Sequence, residues 1–199
     1  IVIHKHLLQE IVAGNARKVS DESSVINLNG ASGGTFVEDG NIHPVLPFAG
    51  DNILEGRFGN SIRLGNTSNV EGSIQNNWSK NGDDGNPITI IRNGQDPELE
   101  PPGWIPTTED INKDLGSIYL TSNQQIPISS SRFTTDSVEE QPVEPNQYTS
   151  NQVILNSGRL VFNSNSDNLI LMSKKNIMLN SNTGIGIDAK KDVTIVSPK

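Results

Sequence analysis

Residues 153–197 read VILNSGRLVFNSNSDNLILMSKKNIMLNSNTGIGIDAKKDVTIVS, and this stretch repeats a unit of the form apolar–x–apolar–x–small six times. The small residues that close successive units are 7 to 9 positions apart. Within each unit the apolar residues recur with period two, which is typical of a strand with one buried face. Polar turns rich in Ser, Asn, Lys and Asp separate the units. A short, regular repeat of this kind predicts a stacked, quasi-linear β architecture.

Each unit is long enough for one strand and a turn, with no helix to cover the apolar face. A single chain folded in this way would expose a continuous apolar stripe beside open strand edges. We therefore predict that several copies wind around one axis, where the stripes meet and the strands pair between chains. A one-chain β-solenoid and ordinary sandwich strands are the alternatives. The predicted core of the assembly comprises twelve residues: Val153, Leu155, Leu160, Phe162, Leu169, Leu171, Ile177, Leu179, Ile185, Ile187, Val193 and Ile195.

The composition agrees with an all-β protein that has many turns. Only 33% of the 199 residues are hydrophobic and 5% aromatic, while 18 are Gly and 11 Pro, so a large conventional core is excluded. Cysteine is absent, which removes disulfides, thiol nucleophiles and thiolate metal sites. No apolar run approaches a membrane span, and the first residues do not resemble a signal peptide.

The net charge of −8 is unevenly distributed along the chain. Residues 1–151 carry 9 Lys+Arg against 20 Asp+Glu, whereas residues 152–199 carry 6 against 3. An acidic body of this kind argues against nucleic acid as a partner. The basic residues of the tail lie in its turns, which indicates a solvated face.

The sequence divides into four predicted segments. Residues 1–45 form an amino-terminal arm, residues 46–95 a small β module, residues 96–151 an extended linker with one strand, and residues 152–199 the repeats. Within the module and the linker, the sequence predicts strands at Ile53–Phe58, Ser61–Leu64, Pro87–Arg92 and Ile118–Leu120.

Three blocks resemble structural proteins of contractile-tailed phages. They are residues 50–65, which contain LEGRFGNSIRLG, residues 86–95, which read NPITIIRNGQ, and residues 114–122, which read DLGSIYLTS. The chain is similar there to baseplate hub and central-spike proteins of the T-even and cyanophage type, and its repeats resemble the triple-stranded β-helix of type VI secretion spikes. The residues that carry the resemblance in the first block are Glu55, Gly56, Arg57, Gly59, Asn60, Arg63 and Gly65.

The resemblance implies a fold, a function and a location. The fold would be a small barrel of the oligonucleotide/oligosaccharide-binding (OB) type, followed by an intertwined trimeric β-helix, or β-prism, needle. The function would be that of a homotrimeric spike or hub in the virion's tail baseplate, which transmits force and helps to pierce the host envelope. Tail-tube and baseplate proteins would be its partners, and a separate tip protein at the carboxyl end is left open. A glycan- or receptor-binding tailspike and a type VI-like secretion spike are the alternative functions.

We predict neither an enzyme nor a cofactor. The T-even hub protein carries a lysozyme domain between barrel and needle, but residues 96–152 offer the carboxylates of Glu98, Glu100, Glu109 and Asp110 without the rigid scaffold that a glycosidase needs. Residues 30–34 (GASGG) match the nucleophile motif of serine hydrolases, yet the surrounding strand, helix and downstream residues that this chemistry requires are missing. The pair His4 and His6 offers imidazoles for a metal in a trimer, but we interpret it as an ordinary surface pair.

Overall fold

The structure, a computed structural model, describes residues 42–68, 76, 78, 85–99, 105–136 and 138–197, together with the backbone of residues 2–4. In this part of the chain all regular structure is β, and no helix is present. The strands are β1 (Val2–His4), β2 (Asn52–Glu55), β3 (Ser61–Asn66), β4 (Pro87–Arg92), β5 (Gly116–Thr121) and β6 (Gln152–Ser157).

These strands form one sheet in which the spatial order follows the chain order from β1 to β6. The backbone of β1 pairs parallel with β2, and the remaining four pairings are all antiparallel. Strands β2 to β6 therefore form a five-stranded meander. The β2–β3 connection is a tight turn, in which the amide of Gly56 donates to the carbonyl of Asn60 at 2.8 Å.

The four strands predicted over residues 53–120 are all present, with β2 ending three residues earlier than expected. The expected closed barrel is not formed by the described strands. Instead, β4 pairs with β5, and β5 pairs with β6, the first repeat unit. The sheet is therefore extended by strands from beyond the 46–95 module rather than closed on itself.

The core lies on one face of this sheet, which we call the inner face. Strand alternation directs Ile88, Ile90, Tyr119 and Ile154 to this side, where they are buried. Segments that approach from the loops cover them and contribute Phe48, Trp78, Ile111 and Ile126 to the same cluster.

A buried arginine joins the sheet to two of these covering segments. Arg63 on β3 is fully buried, and its Nη2 and Nε donate to the carboxylate of Glu109 at 2.8 and 2.9 Å. Its Nη1 pairs with Asp51, and Nη2 also donates to the carbonyl of Leu46 at 3.0 Å. The guanidinium carbon lies 5.4 Å from the ring centroids of both Phe48 and Trp78, within cation–π range. The guanidinium therefore holds residues 46–51 and residue 109 against the sheet.

Replacement of this arginine tests how strongly the fold depends on it. Arg63→Met would leave two buried carboxylates without their cation, and breaking a buried pair by removing one partner costs about 3–5 kcal/mol. We expect the urea midpoint, followed by Trp fluorescence, to fall steeply. The control is Lys113→Met. Lys113 pairs with Asp96 at 3.3 Å, and the lysine side chain is 64% exposed. An exposed pair of this kind contributes about 0–1 kcal/mol to the free energy of unfolding. Equal midpoints for the two variants would contradict the assigned role.

Candidate assembly interface

Residues 50–65, the first of the three sequence blocks, form the β2–β3 hairpin and the surroundings of Arg63. Gly59 has φ +80°, a conformation that favours glycine. A Cβ at Gly56 would lie 2.0 Å from Oδ1 of Asn60, and one at Gly65 would lie 2.8 Å from Oδ1 of Asp51. The two glycines therefore allow close approach at the turn and beside the ion cluster.

The two remaining charged residues of the block have different places. Glu55 closes β2, and its carboxylate accepts a hydrogen bond from the amide of Val45. Arg57 lies half-buried in the turn. Four of the seven resemblance residues (Gly56, Arg57, Gly59 and Asn60) thus lie in the turn, while Glu55 and Arg63 tie the hairpin to the loops that cover the inner face.

The twelve predicted core residues of the repeats all lie on the surface of the single chain. Each is exposed, from 39% for Leu155 to 88% for Ile195. Val153 and Leu155 belong to β6, and the other ten lie in residues 158–197, where no strand is formed. The structure therefore leaves the entire predicted stripe uncovered within one chain.

The path of the chain through the repeats nevertheless keeps their rhythm. Bends occur at residues 165–167, 174–175, 182–183 and 190–191, each in a polar turn between two units. The intervening stretches form no strand within this chain.

The polar turns of the repeats contact a different part of the same chain. The carboxylate of Glu140 pairs with Lys175, and its carbonyl accepts from Nδ2 of Asn176 at 3.2 Å. One repeat further along, Nδ2 of Asn182 donates to the carbonyl of Ser131 at 3.1 Å. Ser131 and Glu140 thus contact successive turns in the opposite order along the chain, and these contacts use polar turn residues rather than the twelve apolar side chains.

The second face of the sheet, which we call the outer face, is apolar and was not anticipated from the sequence. Cross-strand register places large apolar residues opposite one another in a row that crosses five strands, namely Leu54, Ile62, Ile91, Ile118 and Leu155. The adjacent row contains Asn52, Leu64, Thr89, Leu120 and Val153. All the large apolar members except the half-buried Ile118 are exposed. The signal was present in the alternation of β3, where Ile62 and Leu64 are apolar and Ser61 and Arg63 are polar.

The other candidate sites gain no support. His6 and the GASGG stretch at 30–34 lie outside the described residues, and of His4 only the backbone is described. Among the described residues, no three His, Asp or Glu side chains form a group that could hold a metal. A cavity of about 330 Å³ is lined by Glu109 and Asp110 together with core residues such as Tyr119, but both oxygens of Glu109 accept hydrogen bonds from Arg63.

A second buried arginine lies at one end of the inner face. Arg92 on β4 lies opposite Ser61 on β3 and Ser117 on β5, and all three are buried. Nη1 of Arg92 is 3.7 Å from Oδ1 of Asp114, whose Oδ2 accepts from the amide of Asp110 at 2.9 Å. Burial raises the pKa of Asp114 to about 6, and the charge of Arg92 opposes this rise.

This pKa predicts a particular dependence of stability on pH. Because the folded-state pKa of Asp114 lies above the ordinary value of 3.8, the stability linked to its protonation is complete below about pH 4 and is lost as the pH rises through 6. Asp114→Asn keeps an acceptor for the amide of Asp110 and removes the titration. Urea midpoints measured from pH 4 to 7 should therefore shift in favour of the variant with rising pH. Asp167→Asn, in an exposed turn, should run parallel to the wild type, and parallel behaviour of Asp114→Asn would refute the assignment.

Comparisons with known proteins add no relative. No protein-family profile, curated protein or solved structure matches this chain. Within the described part of the chain, no helix has the length and apolar character needed to cross a membrane.

Proposed function

We propose that this chain is the subunit of a homotrimeric spike or hub segment at the centre of a phage contractile tail. Its repeats would form a triple-stranded β-helix with three intertwined chains. One observation carries the proposal: the twelve apolar repeat residues are exposed in the single chain, in a segment that forms no strand beyond β6. The resemblance of the hairpin block to tail proteins adds the phage context.

The energetics favour association. Burying a large aliphatic or aromatic side chain is worth roughly 1.5–3 kcal/mol, and each chain offers twelve. Intertwining also supplies strand partners for the backbone N–H and C=O groups of residues 158–197, which form no strand in the single chain. Three copies around an axis satisfy both requirements at once, because the stripes meet at the axis and each strand lies beside a neighbouring chain.

The polar turns fit the same arrangement. The contacts of Lys175 and Asn176 with Glu140, and of Asn182 with Ser131, use the turns. The apolar stripe therefore stays available for the axis. A needle of this kind would resist bending, since deformation would break many strand hydrogen bonds together. Such rigidity is what a spike needs to transmit the axial force of sheath contraction.

Two neighbouring residues give a sharp test of the stripe. Leu171 is 66% exposed and Ile170 67% exposed in the single chain, so the isolated fold gives no reason for different effects. In the proposed needle, Leu171→Asp brings three carboxylates together on the axis in an apolar environment, where an unpaired charge is strongly disfavoured. Ile170→Asp faces outward. We expect the first variant to abolish assembly and the second to preserve it.

The measurement is solution mass by light scattering, with SDS gels of boiled and unboiled samples. The wild type and Ile170→Asp should have a mass near three times 21.5 kDa and a band that resists SDS until heated. Leu171→Asp should have the mass of one chain. A monomeric wild type would refute the spike, and equal effects of the two substitutions would refute the predicted register of the core.

A further inference from the structure

The outer face of the sheet has the composition of a buried surface. Its two central rows contain ten positions, of which eight are large apolar residues and two, Asn52 and Thr89, are polar and uncharged. None of the ten carries a charge, although residues 1–151 as a whole hold 9 basic and 20 acidic residues. Extensive apolar patches on a protein surface mark interaction sites.

Strand β3 shows most clearly that apolar side chains occupy the exposed side of the sheet. In a strand with one solvated face, the apolar residues normally point to the core and the polar residues to water. Here Ser61 and Arg63 are buried, whereas Ile62 is 38% and Leu64 53% exposed. A charged residue is held inside at the expense of its desolvation, while the apolar side of the strand is left facing outward.

The outer face is continuous with the repeat stripe. Val153 and Leu155 are the first apolar pair of the repeats, and through β6 they are also the last members of the two outer-face rows. Leu155 lies opposite Ile118, and Ile118 opposite Ile91, with neighbouring strands about 4.8 Å apart. If β6 is held at the axis by the stripe, β5 and β4 lie within about 10 Å of that contact.

We propose that the outer face of the sheet packs against the outer faces of two further copies of this chain, so that the trimer interface includes the sheet as well as the needle formed by the repeats. This inference rests on the proposed trimer. Copies of the same chain fit better than a charged partner because the face offers no ion pairs. The subunits of a closed three-membered ring meet through heterologous contacts, and residues close to the threefold axis meet their equivalents. An uncharged apolar surface suits both kinds of contact, because it needs no charged complement.

Single cysteines provide the test, because the chain has none of its own. Ile91→Cys places a thiol in the middle of one row and Leu120→Cys a thiol in the other row. Leu115→Cys, 60% exposed in the loop before β5 and outside both rows, is the matched control. Each is made in the 199-residue chain and repeated with Leu171→Asp, which is expected to keep the chain monomeric. Light scattering first establishes the mass of every variant, and the rate of alkylation by a maleimide is then measured.

We expect thiols at positions 91 and 120 in the trimer to react about tenfold or more slowly than the thiol at position 115, because reaction requires the interface to open. In the Leu171→Asp background the three rates should be similar. Fast reaction at 91 and 120 in a chain of trimeric mass would overturn the inference and leave the needle intact. Slow reaction in both backgrounds would also overturn it, because the chain itself would then cover the face. A monomeric parent chain refutes the proposed function before any labelling.

Discussion

The guanidinium of Arg63 is bound to Asp51, Glu109 and the carbonyl of Leu46 between the sheet and its covering loops. Since side chains alternate along a strand, an inward-pointing Arg63 requires Ile62 and Leu64 to point outward. The same alternation continues across the register to Ile91 and Thr89 on β4. One buried cation therefore orients the sheet, and it leaves the more apolar side of β3 for contacts outside the fold.

Such a cluster holds the loops at a high cost in desolvation free energy, because two carboxylates and a guanidinium lose their water. Its main effect is to determine which face of β3 points inward, rather than to add stability. Apolar residues at positions 51, 63 and 109 could pack equally well, but they would not select which face of β3 is turned inward. A one-residue slip would reverse every side chain of the strand, and it would bring Arg63 out into the face that the trimer is proposed to bury. We regard the ion cluster as the feature that excludes this alternative.

Much of the secondary structure could be predicted from the sequence, because local turn chemistry and period two mark strands directly. Strands β3, β4 and β5 follow from short alternating or β-branched runs bounded by Gly, Asn and Pro. The open sheet could not be predicted, since β4 pairs with β5 across a connection of 23 residues and β5 pairs with β6 across a connection of 30 residues, with no local signal for either pairing. The burial of Arg63 was hidden for a similar reason: its carboxylate partner Glu109 is 46 residues away. The prediction that the repeat residues are core residues concerns an assembly, and it stays a prediction in a single chain that exposes all twelve.

The outer face and the repeats both expose apolar side chains to water. In the repeats, the chain beyond β6 is extended and has no strand partner. In the sheet, the strands are paired, but the apolar outer face is exposed. The chain passes from one to the other through β6 without an interruption in the apolar pattern, because Val153 and Leu155 belong to both. A partner that covered only the repeats would leave an apolar boundary at Leu155, with Ile118 and Ile91 exposed next to a buried core. In the proposed trimer, contact between the sheets of the three copies would close that boundary. Force applied to the sheet would then pass into the proposed needle through a continuous packed core rather than through the covalent chain between residues 157 and 160 alone.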